Sequence, residues 1–481
     1  MALTPVFLGD RSAFSCNSDL SKRSRIFVGV RTITHPTLSE SSQVHARNTL
    51  NTAMLPESTP ILIVGAGPTG LACAISLVTN GVRPQDITIV DAQAQGLNWS
   101  RALVIHAKTL EELDTVDCAD MLADRGTHSS HVSIRSKSTV LLKANFESLA
   151  SRTRFPFALL VSQADTEHYL EERLKHLGVI VRRPHRLVNI EGADEGVRAT
   201  FEGGEVVKVR YLVGADGSRS TVRRLAGIPF KDPVTGKDPH SEETRGEVST
   251  ERPVNVAVAD VHLSGDIPVS TDGNLFFGRL GMLLFVQLPP PLNGTDLRSV
   301  YRLAFPVQPG TKDVTKKVLM EYLRVGLGRP EAELPTIDSI IFSSTFRIRF
   351  AVADRFSQSI GGGEIALVGD AAHIHAPIGG QGMNLGIRDA IQLGRVLTNI
   401  LVVDASDDKP STKKAYSAHA LERYSDDRRP LALEVIRMTK LLTWIAALEG
   451  GVAQLVRNTL LWVLGSMPWV RNMMALRLSG L

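Results

Sequence analysis

Residues 60–81 read PILIVGAGPTGLACAISLVTNG and are followed at 87–91 by ITIVD. Four consecutive apolar residues, 61–64, predict a buried strand of a parallel sheet. Apolar residues then recur at helical spacing from Leu71 to Val78, and ITIVD predicts another strand. Strand, glycine-rich turn, helix and strand together form a βαβ unit, whose right-handed crossover places the two strands side by side in one sheet.

The glycines of the turn have the spacing of a dinucleotide-binding loop. Gly65, Gly67 and Gly70 open the predicted helix, and Asp91 ends the next strand 21 positions after Gly70. In such a loop the first glycine permits the tight turn, the second lets the backbone approach a pyrophosphate, and the third allows close packing of helix and strand. The helix N-terminus attracts phosphates, and the Asp91 carboxylate can accept hydrogen bonds from ribose hydroxyls. A glycine turn without a ligand is the alternative, which this context disfavours.

Composition excludes several classes of protein. The chain has 481 residues, of which 43% are hydrophobic and 22% are charged, as in globular proteins of two or three domains. Its three cysteines exclude a disulfide framework and a cysteine-based zinc site. The net charge is only +4, without the clustered Lys and Arg of a nucleic-acid-binding protein. We therefore expect no nucleic-acid partner.

The first 53 residues hold six basic and three acidic side chains and lack the apolar region of a secretory signal. We expect residues 1–58 to be a disordered extension, or translation to begin at Met54. A mitochondrial transit peptide ranks below that interpretation. The cytoplasm is therefore the expected location.

Further along the chain the α/β pattern is interrupted and then resumes. Alternating residues at 131–142 predict strands, and strands of an antiparallel type are predicted at 254–261, 275–288 and 300–307. The apolar run 365–368 restores the parallel-sheet character, and helical periodicity continues to the end of the chain. The first domain is therefore expected to be discontinuous, with a second domain inserted in it.

Two later motifs carry further information. Residues 211–223 read YLVGADGSRSTVR, in which Asp216 and Ser220 can be helix caps or part of a flavoprotein signature, and both interpretations stay open. Residues 365–390 read IALVGDAAHIHAPIGGQGMNLGIRDA, which resembles the Gly-Asp signature of the para-hydroxybenzoate hydroxylase family. With the motifs in the same order across 59–430, the chain is identified as a member of the FAD-dependent aromatic-ring monooxygenases, nearest the phenol hydroxylase-like branch.

The resemblance implies an α/β fold: a Rossmann-like FAD-binding domain, an inserted substrate domain with a mixed or antiparallel sheet, and a C-terminal helical segment. The expected boundaries are 59–125, 155–230 and 358–400 for the FAD-binding domain, 126–154 and 231–357 for the substrate domain, and 401–481 for the helical segment.

The resemblance also implies the contacts of a non-covalent FAD. Asp370 ends a strand at the carboxyl edge of the sheet, where its side chain can bind ribityl hydroxyls. The glycines after it let the backbone run beside the flavin ring. The residues expected to bind FAD are Gly65, Ala66, Gly67, Gly70, Asp91, Arg101, Gln163, Asp216, Asp370, Pro377, Gly379, Gly380, Gln381, Gly382, Met383 and Asn384.

Two of these residues come from shorter resemblances. Arg101 belongs to a Ser-Arg-Ala element whose arginine lies beside the flavin in the family, with a surface arginine as the alternative. Gln163 resembles a glutamine placed near the ribityl chain. Ser162 precedes it where many relatives have proline, which puts the geometry of that loop in doubt.

A metal site and a separate nicotinamide domain are not expected. His373 and His375 are separated by one residue and have no acidic cluster associated with them, so a metal site is disfavoured. No second glycine motif of the Gly65 type follows a strand, so NAD(P)H is expected to visit transiently as the reductant.

The resemblance implies that NAD(P)H reduces the flavin, that O2 adds at its C4a atom, and that the resulting hydroperoxide hydroxylates a phenolic or polyketide-like aromatic substrate. It names no general base, so no catalytic side chain is assigned. One alternative is a membrane-associated flavin oxidoreductase or epoxidase that acts on an isoprenoid. Another is a non-catalytic FAD-binding module that senses redox state.

The stretch 441–478 is apolar and contains Trp444, Trp462 and Trp469. No run reaches the ~20 residues that span a bilayer, so we expect this segment to pack against the FAD-binding domain. Peripheral contact with a membrane or a partner is the alternative. The oligomeric state is not predicted.

Overall fold

The structure is a computed structural model, and it describes most of the chain beyond residue 53. The described residues are 54–96, 102–241, 255–267, 272–292, 296–308, 310–311, 313–406, 410–448 and 450–481. The predicted extension up to residue 53 and Arg101 lie outside the described residues.

The strands are β1 (Ser58–Val64), β2 (Ile87–Val90), β3 (Val104–Ile105), β4 (Thr127–Ser129), β5 (His131–Ser136), β6 (Thr139–Asn145), β7 (Ala158–Leu160), β8 (Leu187–Ala193), β9 (Gly196–Phe201), β10 (Val206–Gly214), β11 (Phe230–Lys231), β12 (Asn255–Ser264), β13 (Gly273–Gly278), β14 (Gly281–Leu288), β15 (Val300–Val307), β16 (Thr336–Arg347), β17 (Ala351–Ala353), β18 (Ser357–Ile360), β19 (Gly363–Leu367) and β20 (His373–Ile374). The α-helices are α1 (Pro68–Thr79), α2 (Ala107–Asp114), α3 (Ala119–Arg125), α4 (Gln163–His176), α5 (Thr221–Leu225), α6 (Lys316–Leu327), α7 (Gln381–Ser406), α8 (Pro410–Ala446), α9 (Gly451–Ser466) and α10 (Pro468–Ser479).

The first large sheet has the strand order β18-β19-β10-β1-β2 and carries the glycine turn. In β1, Ile61 pairs in parallel with Tyr211 of β10 on one side and with Ile87 of β2 on the other. β19 is parallel to β10, and β9 and β8 add an antiparallel extension. Residues 61–63 are fully buried, as expected for a central strand covered on both faces. The predicted βαβ unit is confirmed.

The second large sheet has the order β16-β12-β15-β14-β13-β5-β6. Its neighbours are antiparallel except β13 and β5, which are parallel. Its strands come from 131–145 and 255–347, whereas β10 and β19 of the first sheet lie before and after the second of these stretches. The chain therefore leaves the first sheet and returns to it, as the interrupted pattern predicts.

One predicted strand is wrong. Residues 275–288 are not one strand but parts of the hairpin β13–β14, in which Gly278 pairs with Gly281. The turn between them contains Leu280, which continues the apolar pattern and hides the break. The two glycines that bracket the turn were the signal that could have located it.

Helices α1 and α7 cross closely because small residues lie between them. Ser76 of α1 donates a hydrogen bond from Oγ to the carbonyl oxygen of Ile391, at 2.8 Å. A Cβ atom on Gly394 would overlap Ser76 Oγ, and one on Gly386 would lie 2.8 Å from Thr69 Oγ1. The starts of the two helices are therefore fixed relative to each other.

The C-terminal helices follow a long α8, which contains Pro430 in its interior. α8 packs on α7 and on β17 and β18, whereas α9 and α10 pack on β6 of the second sheet. The expected packing of 441–478 against the FAD-binding domain is therefore wrong for α9, which lies on the inserted part of the chain. α10 contacts both parts, since it packs on β6 and its Leu478 carbonyl accepts a hydrogen bond from Gln381.

Candidate functional site

The glycine turn between β1 and α1 leaves an open space at its centre. Gly65 has φ +106°, and a Cβ there would overlap the carbonyl oxygen of Ala215. A Cβ on Gly70 would overlap the carbonyl oxygen of Gly65. A Cβ on Gly67, by contrast, would meet only Glu167 Oε1, at 4.0 Å. Glycine is therefore required by the protein itself at the first and third positions, whereas at Gly67 the free space suits a ligand.

The start of α1 faces this space without a side-chain cap. Its N-cap is Gly67 and Pro68 follows it, so no side chain accepts hydrogen bonds from the first N–H groups of the helix. An uncapped helix N-terminus with room beside it is a binding site for phosphate groups. These residues fit the pyrophosphate of FAD.

Asp91 lies beside the turn. Its Oδ2 accepts a hydrogen bond from the Ala66 N–H at 2.8 Å, and its Oδ1 accepts one from the Gln93 N–H at 2.7 Å. A carboxylate has about four acceptor positions, so Asp91 can still receive ribose hydroxyls. The Ala66 N–H therefore already has an acceptor in Asp91, and a contact between Ala66 and FAD stays a prediction.

Gln163 begins α4 and connects the turn to the segment after Arg101. Its Nε2 donates to Glu167 Oε1 at 2.8 Å, and its backbone N–H donates to the Ala102 carbonyl at 3.3 Å. Ser162 caps the helix by accepting the Asp165 N–H at 3.0 Å, so a serine fits where many relatives have proline. Glu167 is buried and approaches Gly67, a position that the sequence does not reveal.

Asp216 has a structural role in this fold. Its Oδ2 accepts hydrogen bonds from the N–H groups of Thr221 at 2.7 Å and Val222 at 3.1 Å, and its Oδ1 accepts one from the Ser220 hydroxyl. Ser220 in turn accepts the Arg223 N–H at 2.9 Å. Both residues cap α5, as the alternative interpretation of this motif expects, and a contact between Asp216 and FAD stays a prediction.

Asp370 lies where the sequence places it. It follows β19 in the single turn Gly369–Ala371, and its side chain is exposed. β19 is parallel to β10, so Asp370 is at the carboxyl edge of the first sheet, next to the glycine turn.

The loop from Pro377 to Asn384 is tied to the strand β3. Asn384 Oδ1 accepts the His106 N–H at 2.8 Å, and Asn384 Nδ2 donates to the carbonyl oxygens of Val104 at 2.9 Å and Gly380 at 2.6 Å. Gly380 has φ +64°, and a Cβ there would overlap Val104. The buried amide of Asn384 therefore acts as a clamp on the loop.

The remaining residues of this loop divide into two groups. Gly379 and Gly382 have open space, since a Cβ on them would come no closer than 3.5 and 3.9 Å to another atom. The Gln381 amide donates to the carbonyl oxygen of Leu478 at 3.0 Å, and Met383 packs on the main core. The open space thus lies at the two glycines, and contacts of these positions with a flavin ring stay a prediction.

Two buried histidines near the loop were missed as site residues. His106 Nε2 donates to the Gly379 carbonyl at 2.7 Å, and His375 Nδ1 donates to the Ala376 carbonyl at 2.9 Å. Their other ring nitrogens have no partner among the described residues. Burial lowers the pKa of each to about 4, so both rings are neutral at pH 7. The loop is therefore free of histidine charge.

His373 belongs to a buried ion network. Its Nε2 lies 2.7 Å from Asp389 Oδ2, and Arg428 Nε donates to Asp389 Oδ1 at 2.5 Å. Although burial raises it, the charge of Arg428 and the hydrogen bond from His373 hold the pKa of Asp389 below its ordinary value. Within the described residues no group of three His, Cys, Asp or Glu side chains could hold a metal ion.

Comparison with known proteins gives a consistent result. The family described as "FAD binding domain" matches residues 58–439. A 6-methylpretetramide 4-monooxygenase from Streptomyces rimosus is 31% identical over 399 residues, which cover 82% of this chain and 63% of that protein. A 12-dehydrotetracycline 5-monooxygenase/anhydrotetracycline 6-monooxygenase from the same species is 30% identical and covers 79% and 68%. The chain therefore spans less than two thirds of the first of these relatives.

A solved structure shares the fold. The anhydrotetracycline hydroxylase from Streptomyces rimosus superposes with a TM-score of 0.63 at 28% identity, covering 88% of this chain and 76% of that one. The match therefore covers most of this chain.

Proposed function

This chain belongs to the FAD binding domain family, and on that premise we propose that it is a FAD-dependent monooxygenase that hydroxylates a phenolic or polyketide-like aromatic substrate with NAD(P)H and O2. The observation that carries the proposal is the pair of open cradles, at Gly67 before α1 and at Gly379 before α7. When bound, the flavin supplies the electron transfer from NAD(P)H to O2 and the delivery of one oxygen atom, while the other leaves as water.

The cradle at Gly67 would hold the phosphate end of FAD. The uncapped N-terminus of α1 contributes about half a positive charge there, which stabilises the pyrophosphate without a basic side chain. Asp91 and Asp370 offer carboxylates for hydroxyls, the first near the turn and the second at the carboxyl end of β19. A contact of Arg101 and of Asp216 with the flavin remains part of the proposal.

The loop at Gly379 would hold the ring end. Asn384 and His106 fix its backbone, so the loop keeps its shape when the ring is absent. α7 begins at Gln381, and its N-terminus favours negative charge on the group that faces it. Neutral His106 adds no competing charge.

The C-terminal helix α10 would exclude water from the ring end. Leu478 lies against Gly379, and the Gln381 amide holds the Leu478 carbonyl. Exclusion of water limits side reactions with solvent before the substrate is hydroxylated.

We keep the domain division as part of the proposal. The second sheet gathers β5, β6 and β12–β16, which supports a substrate domain built from 126–154 and 231–357. The first sheet gathers strands from 59–125, 155–230 and 358–400, which supports the FAD-binding domain. The helices after residue 400 form the third part.

The relatives favour this reaction over the two alternatives. Both curated relatives named above are monooxygenases by name, and nothing in the site favours an isoprenoid epoxidase or a non-catalytic module. No helix in the described part of the chain is long and apolar enough to cross a membrane. Peripheral contact through the C-terminal helices stays a proposal, supported by their exposed apolar side chains.

The test is incorporation of isotopically labelled O2. The purified protein with FAD is incubated with NADPH and a panel of phenols and polycyclic phenols, and products are analysed by mass spectrometry. We expect one labelled oxygen atom per product and NADPH oxidation stimulated by the substrate. NADPH oxidation that yields only hydrogen peroxide with every aromatic compound would argue against hydroxylation.

A further inference from the structure

Helix α9 turns polar side chains toward the protein and apolar side chains toward its exposed face. Arg457 is buried and lies over the ring of Phe277, with its guanidinium carbon 4.3 Å from the centroid. Asn458 Nδ2 donates to Ser136 Oγ at 3.2 Å, so both polar side chains point to the protein. Leu455, by contrast, is 67% exposed. A helix on the surface of a globular protein normally shows the opposite arrangement.

The exposed apolar residues continue onto the neighbouring helices. We call the apolar C-terminal face the exposed side chains of Leu441, Trp444, Val452, Leu455, Val456, Leu460, Trp462, Val463, Leu464, Trp469 and Met473. Between residues 450 and 470 the sequence has one charged side chain, the buried Arg457. Large exposed apolar patches of this kind are typical of surfaces that bind another protein or a membrane.

Charge along this part of the chain is net positive. Residues 434–481 hold five basic and two acidic side chains, of which Arg477 pairs with Glu434 and Lys440 pairs with Asp232. Arg437 is exposed on α8, and Leu441 and Trp444 follow it at spacings of four and three, so the three lie on one side of the helix. The cation thus adjoins the apolar C-terminal face.

A cavity beside Arg437 adds to the positive character. It has a volume of about 350 Å³ and is lined by Lys231, Arg429 and Arg437 together with Asp232 and Asp354. The Asp232 carboxylate is already paired with a neighbouring lysine, Lys440, at 2.7 Å. Besides the paired Asp232, the lining therefore holds three cations and one further carboxylate, that of Asp354.

These features select one occupant. A second copy of the same face would bring like charges together, which is unfavourable. Anionic lipid headgroups complement the cations, acyl chains accept the leucines and valines, and tryptophans are favoured at the boundary between the two. We propose that the apolar C-terminal face inserts into the interface of a bilayer that contains anionic lipid, with Arg437 at the level of the headgroups.

The test is co-sedimentation of the FAD-loaded protein with vesicles. One set contains phosphatidylcholine alone, and the other contains phosphatidylcholine with phosphatidylglycerol. We expect partitioning into the anionic vesicles. The double variant Leu455→Glu/Leu460→Glu should weaken it more than about a hundredfold, because two leucines that the bilayer would bury are lost. Arg437→Glu should weaken it at least about fivefold.

Matched controls separate insertion from general surface change. Ile180→Glu and Leu297→Glu also replace exposed apolar residues, but outside the apolar C-terminal face, and should partition like the wild type. FAD content and circular dichroism verify folding of every variant. These positions are exposed, so a fold defect is not expected.

Three outcomes would overturn insertion of this face into a bilayer. The first is no partitioning into either vesicle, and the second is equal partitioning of the wild type and the double variant. The third is a dimer in sedimentation velocity that the double variant dissociates, without vesicle binding, which would make the face a contact between copies. Equal binding to both vesicle types would overturn the role of anionic lipid and of Arg437.

Discussion

Asp260 and the buried Arg302 form a bidentate ion pair across the second sheet. They are register partners in β12 and β15, and Arg302 Nε and Nη2 donate to the two oxygens of Asp260 at 2.7 and 2.6 Å. Arg302 Nη1 also donates to the Ala102 carbonyl at 3.1 Å. The same carbonyl accepts the Gln163 N–H, so the pair connects the second sheet to the start of α4.

Asp260→Ala is expected to destabilise the protein by about 3–5 kcal/mol, because it leaves the Arg302 guanidinium buried without its partner. Urea unfolding measures this change. The double variant Asp260→Leu/Arg302→Met removes both charges and should recover most of the stability, yet bind FAD more weakly because Ala102 loses its donor. A double variant as unstable as the single one would show that the pair does not account for the loss.

Gly67→Val is expected to abolish FAD retention while the apoprotein stays folded. A Cβ at this position meets only Glu167 Oε1, so the new side chain fills ligand space without a clash within the protein. The flavin absorbance of the purified protein and its melting temperature are the measurements. Gly451→Val, which also adds a side chain in open space, is the matched control. Normal flavin content in Gly67→Val would remove the turn from the site.

Asp370→Ala is expected to weaken FAD binding by about 10- to 150-fold, since a hydrogen bond to a charged group contributes roughly 1.5–3 kcal/mol. Asp216→Ala should instead lower stability by about 1–2 kcal/mol through loss of the α5 cap. Flavin fluorescence gives the dissociation constant, and thermal unfolding of the apoprotein gives the stability. If Asp370→Ala lowered only the melting temperature, Asp370 would be a turn residue and not a cofactor ligand.

His106 and His375 are expected to make stability depend on pH. Burial lowers the pKa of each to about 4, below the ordinary 6.5 of the unfolded chain. Between pH 6.5 and 4 these histidines bind protons in the unfolded chain but stay neutral in the folded protein. The free energy of unfolding therefore falls as the pH drops from 6.5 to 4. Each histidine contributes about 1.4 kcal/mol per pH unit.

His106→Gln, which keeps a donor for the Gly379 carbonyl, should halve the slope attributable to these two histidines. Urea unfolding at several pH values between 4.5 and 7 provides the measurement. An unchanged slope in the variant would mean that His106 is not held neutral by burial.

Local patterns made part of this molecule predictable. Ile61 to Val64 and the glycines after them determine β1, the turn and α1 through backbone requirements that act over a few residues. The glycine loop before α7 was likewise recognisable from its motif. Asp370 was placed correctly because the end of a buried strand fixes the edge of a parallel sheet.

Long-range contacts were not predictable in the same way. Asn384 holds the backbone of His106 across 278 positions, and Arg428 meets Asp389 only because α8 folds back on α7. The outward apolar face of α9 accompanies the burial of Arg457, which lies over the Phe277 ring of the distant strand β13. Hydrophobic periodicity within one segment does not predict these contacts, since each of them joins segments that lie far apart in the sequence.

The close crossing of α1 and α7 has a consequence for which molecule fits. α1 starts at the proposed phosphate site and α7 starts at the proposed ring site, and Ser76 packs between the two helices at Ile391 and Gly394. The packing of the two helices therefore fixes the distance between the two sites. A ligand binds both sites only if its length matches the distance between them. Flavin mononucleotide lacks the second nucleotide and can therefore occupy only one of the two sites.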